Sequence, residues 1–362
     1  MPRTSKPSGV RNHPVERAVN KSKVEKTPLL VPSGSVMLNL ACSNTWRGAF
    51  PVGRMANLIG DSSSGKTYLA LEMLAQCCRN PRFEDYTLIY DDTEHALSMD
   101  IRALFGRKLA EKITGPEGPL HTTDPSRTIE DFHFNIKDAL SVGPCIYVLD
   151  SFDALSSEQD LEKIEEMMKA REAGKEIAGS YNLAKPKKAS QILQDIVCDI
   201  EKTNSFLLII SQTRENLTPG SFEKKTRSGG KALKFYASHE IWLAVTGKLK
   251  KSVNGKSRVI GSELKAKVSK NKLTGTFREV GFDFRQGYGC DDISSCIDFL
   301  KGEGVIKGTS TLSWRDYNQS LTKLIQTIED NGIEPQLFKD AQEAWNEVEE
   351  KLKPTRKSKY ED

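Results

Sequence analysis

The sequence has no long hydrophobic run. Among its 362 residues, no apolar stretch approaches the roughly 20 residues that cross a bilayer. The first ten residues are dominated by proline, serine, lysine and arginine, so they lack the apolar core of a secretory signal. Both absences argue against a membrane or secreted protein, and we expect a soluble protein of the cytoplasm with no membrane partner. A composition of 37% hydrophobic and 28% charged residues is typical of a globular chain.

Histidine is scarce and the cysteines are not arranged in metal-binding pairs. The chain has five scattered histidines, and its seven cysteines include no C-x-x-C pair. Structural zinc sites use such closely spaced ligands, so a zinc site is not expected. An odd number of cysteines without a signal segment indicates reduced and mostly buried thiols.

Positive charge is concentrated at the two ends of the chain. Residues 1–26 carry seven Lys or Arg against two Asp or Glu, and residues 351–362 carry five against two. Basic tails often contact nucleic acid, although a solvated tail that only keeps the protein soluble explains either end equally well. Residues 1–28 are polar and contain prolines, so we predict a disordered N-terminal segment.

Residues 29–286 alternate between apolar runs and helical patterns. Helices are predicted at 68–78 and 190–202, and buried strands at 55–59, 87–90, 145–149, 206–210 and 241–245. This alternation predicts an α/β domain with a mostly parallel central sheet. Two further strands are expected within 264–284, around a turn at 271–276. From residue 287 to 362 helical periodicity dominates, at 293–301, 320–330 and 335–352, which predicts a small, mainly helical C-terminal domain ending in a basic tail.

A phosphate-binding loop is the most informative motif. It fits G-x-x-x-x-G-K-[ST] and consists of Gly60, Asp61, Ser62, Ser63, Ser64, Gly65, Lys66 and Thr67. A predicted strand precedes it and a predicted helix follows it, which a chance glycine- and serine-rich loop would not require. Backbone N–H groups and the helix N-terminus would then cradle phosphate oxygens. In such loops the lysine reaches the β- and γ-phosphates, and the final hydroxyl binds Mg²⁺.

Acidic residues follow two of the predicted strands. Asp150 ends the run at 145–149, in the position of the Walker B aspartate that organises Mg²⁺ and its waters. Glu94 lies just after the strand at 87–90, where a carboxylate is well placed to orient or deprotonate water. The alternative for the acids around Glu94 is a cluster that caps a helix.

Two long polar segments are candidate DNA-binding loops. Gln212 ends a third buried strand and leads into residues 213–230, whose basic, aromatic and glycine residues are Arg214, Phe222, Lys224, Lys225, Arg227, Gly229 and Gly230. Residues 169–189 contain Arg171, Lys185, Lys187 and Lys188. Basic side chains suit DNA phosphates, and an aromatic ring can stack on bases. A solvated surface loop is the alternative, although loops of this length in a compact domain are often functional.

Taken together, these features resemble the RecA/RadA recombinase family, and bacterial-type RecA in particular. The resemblance covers roughly residues 30–290 and rests on the stretches 33–41, 51–54, 60–67, 93–97, 149–151, 229–238 and 268–272, together with Gln212. General phosphate-loop ATPases lack this combination. It implies a RecA-like core and a DNA-dependent ATPase that assembles into a homo-oligomeric helical filament on single-stranded DNA and pairs it with homologous double-stranded DNA.

The resemblance also implies roles for individual residues. ATP would bind between subunits, with Lys66, Thr67 and Asp150 holding the phosphates and Mg²⁺. Glu94 would activate water, and Gln212 would report the γ-phosphate to the loop at 213–230. The neighbouring subunit would supply its paired lysines, Lys270 and Lys272, to neutralise transition-state charge.

The sequence departs from the family at several positions. Ser98 and Ile101 stand where bacterial RecA has an adenine-contacting aspartate and a stacking tyrosine, so base preference does not carry over. The C-terminal tail is basic, where bacterial RecA has an acidic one. These departures suggest a phage-encoded or mobile-element relative. A ring-type RecA-like motor and a non-catalytic regulatory paralogue remain as alternatives, distinguished by hexameric rings and by absent ATP turnover respectively.

Overall fold

The computed structural model describes residues 28–120, 122–173, 184–215, 225–227 and 230–356. Most of the predicted disordered segment at 1–28 lies outside the described residues, as do Phe222, Lys224 and Gly229 and the last part of the basic tail.

The strands follow the predicted alternation. In chain order they are β1 (Leu30–Val31), β2 (Phe50–Pro51), β3 (Arg54–Gly60), β4 (Thr87–Asp92), β5 (Ile113–Thr114), β6 (Cys145–Asp150), β7 (Phe206–Glu215), β8 (Lys225–Arg227), β9 (His239–Val253), β10 (Lys256–Asn271), β11 (Arg278–Arg285), β12 (Gly289–Cys290), β13 (Leu312–Trp314) and β14 (Tyr317–Gln319). Each strand predicted from an apolar run is present, and each extends beyond the run by one or more residues.

The helices surround the strands. They are α1 (Val36–Ser43), α2 (Lys66–Arg79), α3 (Ile101–Phe105), α4 (Arg107–Lys112), α5 (Ile129–Val142), α6 (Glu158–Glu172), α7 (Ala184–Lys202), α8 (Gly230–Tyr236), α9 (Asp292–Gly302), α10 (Leu321–Asn331) and α11 (Glu334–Leu352), with a 3-10 turn at Pro81–Phe83. No helix of the described ranges combines the length and apolar character needed to span a membrane.

A single large sheet organises the protein. Its strand order is β12-β11-β10-β9-β3-β7-β6-β4-β5, with β8 paired to β7. The pairs from β9 through β5 are parallel, whereas β9, β10, β11 and β12 pair antiparallel with one another. The α/β class with a mostly parallel central sheet is therefore confirmed. The order places the carboxyl ends of β3, β4, β6 and β7 side by side at one edge.

The parallel strands are mostly apolar because both faces of the sheet are covered. All six residues of β6 are buried. Ile146 and Val148 contribute to one hydrophobic cluster with α1, α2 and the C-terminal helices, whereas Tyr147 and Leu149 contribute to a second cluster with α5 and α7. This alternation is the period of two expected of a strand, and it fixes which side chains reach each layer.

The C-terminal region is mainly helical, as predicted, but it also contains the hairpin of β13 and β14. It packs on the core rather than apart from it, because side chains of α9, α10 and α11 belong to the same hydrophobic cluster as α1 and α2. Polar contacts add to this packing. The Arg278 guanidinium forms an ion pair with Glu349, and the Asp292 carboxylate accepts the Val36 N–H at 2.7 Å.

The burial of Asp292 predicts a pH-dependent stability. Burial raises the pKa of the Asp292 carboxyl to about 8. An unfolded aspartate ionises near pH ~4, so the folded state holds this proton more tightly and stability falls as pH rises from about 4 to about 8. Asp292→Asn keeps an oxygen that can accept the Val36 N–H but cannot ionise. Its Tm should therefore fall less than that of the wild type between about pH 6 and about pH 9.

Thermal unfolding followed by circular dichroism at the two pH values checks this expectation. Asp298→Asn is the matched control, because Asp298 lies on the same helix with a side chain 66% exposed. If Asp292→Asn and the wild type lose the same number of degrees, the Asp292 proton does not contribute.

Candidate functional site

The phosphate loop connects β3 to α2 and is shaped by its glycines. Gly65 adopts φ of 89°, a left-handed conformation that favours glycine. A Cβ added to Gly60 would lie 2.5 Å from the Ser64 hydroxyl, so only glycine fits at this close approach. The Lys66 ammonium is buried and donates to the carbonyl oxygens of Gly60 and Asp61 at 3.0 and 2.7 Å. Burial lowers the pKa of Lys66, opposing the effect of nearby carboxylates.

The Walker B candidate lies beside the end of the phosphate loop. The Thr67 hydroxyl donates to Asp150 Oδ2 at 2.6 Å, and the Tyr90 hydroxyl donates to the same oxygen at 2.6 Å. Burial raises the pKa of Asp150, although both hydroxyl contacts lower it. A hydroxyl and a carboxylate held together are the hard oxygen ligands that Mg²⁺ prefers, so these residues fit that ion. Tyr90 was not among the predicted site residues; its only sequence signal is a hydroxyl within an apolar strand.

The acids that follow β4 have separate partners. Asp92 accepts the backbone N–H of Leu97 at 2.9 Å, so it is this residue that stabilises the turn after the strand. Glu94 instead accepts a hydrogen bond from Gln212 Nε2 at 2.9 Å and another from the Ser151 hydroxyl. Asp92 therefore stabilises a turn and does not cap a helix, while the Glu94 carboxylate is held against Ser151, which follows β6, and Gln212 of β7.

The end of β7 is tied to two neighbouring segments. The backbone N–H of Gln212 donates to Asp153 Oδ2 at 2.7 Å, and the Arg214 guanidinium lies 3.6 Å from Asp153 Oδ1. The Thr213 hydroxyl donates to the Asp61 carboxylate in the phosphate loop. Asp153 and Thr213 were missed in the sequence because neither belongs to a motif. The strand that enters 213–230 is thus connected directly to the phosphate loop.

The segment at 169–189 differs from the predicted loop. Helix α6 continues to Glu172 and helix α7 begins at Ala184, so Arg171 and Lys187 lie in helices, and residues 174–183 are outside the described ranges. Arg171 is exposed near the end of α6. In the second predicted loop, Lys225 and Arg227 lie in the short strand β8, and Gly230 begins α8.

Lys185 and Lys188 are engaged within the protein. The Lys185 ammonium donates to the carbonyl oxygen of Phe152 at 2.9 Å, and it also contacts the carbonyls of Asp153 and Leu155. Lys188 forms an ion pair with Glu130. In the described structure the charge of Lys185 is satisfied by the turn that follows β6, which favours a structural role over the predicted DNA contact.

The paired lysines lie at the opposite edge of the sheet from the phosphate loop. In the register of the sheet, Glu240 pairs with both Lys270 and Asn57, and Asn57 lies three residues before Gly60 along β3. At about 3.3 Å per strand residue, Lys270 is displaced by roughly 10 Å along the sheet from the carboxyl edge. Its ammonium donates to the Phe235 carbonyl at 3.0 Å, and that of Lys272 does so at 3.5 Å. The described structure therefore does not bring these lysines to the phosphate loop of their own chain.

Comparison with known proteins gives the same relationship as the motifs. The family model described as the RecA N-terminal domain matches residues 17–291. A protein described as Protein RecA, from Caulobacter sp. (strain K31), is 30% identical over 299 residues, which cover 82% of this chain and 74% of that relative.

The internal contacts of Lys185 give a testable prediction. Lys185→Met removes the ammonium that contacts three carbonyls, and we expect a loss of about 1–2 kcal/mol in the free energy of unfolding, measured by urea denaturation. A lysine that neutralises a phosphate of single-stranded DNA contributes about 0.7 to the slope of log affinity against log salt. We expect this slope to be unchanged in Lys185→Met.

The control is Lys323→Met, which removes an exposed lysine of α10 outside both candidate DNA-binding segments and should change neither quantity. A fall of about 0.7 in the salt slope for Lys185→Met, without loss of stability, would restore the original prediction of a DNA contact.

Proposed function

The chain belongs to the RecA family, and we propose that it forms filaments on single-stranded DNA, hydrolyses ATP there and catalyses homologous pairing and strand exchange. Family membership supports a DNA-dependent ATPase that binds ATP with Mg²⁺ in general terms. One observation carries the finer proposal. The 2.9 Å hydrogen bond from Gln212 to Glu94 joins the candidate catalytic carboxylate to the strand that leads into the candidate DNA loop.

The phosphate loop is proposed to bind the triphosphate of ATP. Lys66 would exchange its two carbonyl partners for phosphate oxygens, which are stronger acceptors because they are charged. Thr67 and Asp150 would hold Mg²⁺, which neutralises phosphate charge when bound. Residues 60–65 contribute backbone N–H groups and the space that their glycines leave open.

Glu94 is proposed to orient and deprotonate the attacking water. Its carboxylate lies at the carboxyl edge of the sheet, next to the Walker B strand, where the γ-phosphate would project from the phosphate loop. In the described structure its Oε1 accepts hydrogen bonds from Gln212 and Ser151. Both donors fix the position of the carboxylate that would accept a proton from water.

Gln212 is proposed to couple nucleotide to DNA. A γ-phosphate competing for the Gln212 amide would weaken its bond to Glu94 and shift the start of the 213–230 segment. Thr213 contacts Asp61 of the phosphate loop, and Arg214 forms an ion pair with Asp153. The shift would therefore involve residues 212–214 together. ATP would thereby favour one arrangement of the loop, and DNA bound to that arrangement would favour ATP in return.

The paired lysines are proposed to act on the ATP of a neighbouring subunit. Lys270 and Lys272 lie at the edge of the sheet away from their own phosphate loop, so a second copy of the chain is needed to complete the site. A head-to-tail arrangement of copies that does not close generates a helical filament.

ATP hydrolysis with and without single-stranded DNA is the first test. We expect DNA to raise the rate by roughly tenfold or more, since ordinary coupling free energies give changes of this size. Lys66→Ala should lower the rate by roughly a hundredfold or more. The variant should stay folded with a stability loss of about 1–2 kcal/mol, like that expected of Lys185→Met, because the Lys66 ammonium also donates to backbone carbonyls.

The salt concentration must be fixed and low, because phosphate contacts weaken steeply with salt. A rate that does not respond to DNA would contradict the recombinase proposal in favour of another RecA-like motor. Tight DNA binding with no turnover would instead indicate a regulatory paralogue.

Mixing two inactive variants tests action between subunits. Glu94→Gln lacks the proposed base, and the double variant Lys270→Ala/Lys272→Ala lacks the proposed cations. If the lysines act across the interface, an equal mixture recovers about a quarter of wild-type activity, since half of the subunits have Glu94 and half of their neighbours have the lysines.

The control is a mixture of Glu94→Gln with Lys66→Ala, in which both changes fall on the same half of the site. Every subunit of that mixture lacks either Glu94 or Lys66. If one subunit supplies both residues to a site, no site is complete and no activity is recovered. Recovery in the control equal to that in the test mixture would contradict the assignment of the lysines to the neighbour.

A further inference from the structure

Tyr90 is a buried tyrosine at the candidate magnesium site. It lies in β4 with a side chain 1% exposed, and its ring belongs to the hydrophobic cluster shared with α2. A buried phenol requires a hydrogen-bond partner. The Tyr90 hydroxyl has Asp150 Oδ2 at 2.6 Å, so a strand that neighbours the Walker B strand supplies a donor to its aspartate.

The two hydroxyl donors fall on a single carboxylate oxygen. Thr67 and Tyr90 both donate to Asp150 Oδ2. Within the described ranges, Asp150 Oδ1 accepts no hydrogen bond from a side chain. Since Thr67 is also a proposed ligand of Mg²⁺, its hydroxyl can serve the ion with a lone pair while its proton stays on Asp150. Tyr90 holds the same oxygen from within the core, and this fixes the rotation of the carboxylate.

We propose that Tyr90 is a positioning residue for Mg²⁺: by holding Oδ2 of Asp150, it keeps Oδ1 available to the ion or its waters. The inference rests on the proposed ATPase function and adds to it a residue outside the phosphate loop and the Walker B motif. Residues that hydrogen-bond a ligand of a metal commonly change metal affinity by about 10- to 100-fold when they are altered.

A neighbouring tyrosine provides a matched comparison. Tyr147 is also fully buried and its hydroxyl donates to the Asp91 carboxylate at 2.8 Å. Asp91 accepts further hydrogen bonds from the backbone N–H and hydroxyl of Ser126. This second pair joins the same two strands, β4 and β6, but has no contact with Thr67 or Asp150. Its loss therefore measures the effect of a buried tyrosine–aspartate contact on stability, separately from any effect on Mg²⁺.

The experiment compares Tyr90→Phe with Tyr147→Phe in the full-length chain. Binding of a fluorescent ATP analogue is measured by anisotropy, first in EDTA and then over a titration of MgCl₂, without DNA. For Tyr90→Phe we expect the Mg²⁺ concentration that gives half of the maximal increase in analogue binding to rise about tenfold. Affinity for the analogue in EDTA should stay within about twofold of the wild type. For Tyr147→Phe we expect neither quantity to change, although both variants lose thermal stability.

An unchanged Mg²⁺ requirement in Tyr90→Phe would overturn the inference, and so would equal changes in the two variants. A Tyr90→Phe protein that does not fold would also overturn it, because the hydroxyl would then serve the fold. A wild type whose nucleotide binding ignores Mg²⁺ would overturn the proposed function as well. The Mg²⁺ dependence of the wild type thus distinguishes failure of the proposed function from failure of the Tyr90 inference alone.

Discussion

The register of the parallel strands is the constraint on which the rest of the site depends. Gly60 of β3 pairs with Gln212 of β7, and Asp92 of β4 pairs with Asp150 of β6. Since Leu149 of β6 pairs with Ile209 of β7, the polar groups of these four segments lie within about two residues of one another along the sheet, although the segments are distant in sequence. A slip of one residue would turn the alternating side chains of a strand to the other face. Burial of both faces prevents that slip, so the hydrophobic layers determine the positions of the polar groups.

Within one chain, the carboxyl edge of the parallel strands carries an excess of negative charge. The carboxylates of Asp92, Glu94 and Asp150 converge there, and the negative charges of Glu94 and Asp92 add to burial in raising the pKa of Asp150. Lys66 is the nearest buried cation of the phosphate loop. In a medium of low dielectric such an arrangement is costly unless positive charge is supplied. Thr67 and Asp150 would hold a divalent ion whose charge would relieve the repulsion, so carboxylates could be concentrated where a polyanion is proposed to bind.

Sequence patterns predicted the core because its signals are local. An apolar run followed by an acid identified β6 with Asp150, and a glycine-rich loop between a strand and a helix identified the phosphate loop. Helix α6 could not be found in this way, since none of its residues is buried and its sequence lacks an apolar stripe facing the core. Charge composition likewise does not reveal which lysine turns inward, and Lys185 was assigned to DNA for that reason. Tyr90 and Asp153 act through neighbours on other strands, which a linear motif does not record.

The two edges of the sheet have different tasks under the proposed function. The carboxyl edge holds the phosphate loop, Glu94 and Gln212, whereas Lys270 and Lys272 lie toward the other edge, beside the C-terminal carbonyls of α8. Helix α8 follows directly after the candidate DNA loop. Under this proposal, a change at Gln212 would reach the Phe235 carbonyl, which accepts from both lysines, along the same chain. If those lysines enter a neighbour's ATP site, DNA bound to one subunit influences hydrolysis in the next, and turnover becomes a property of the filament.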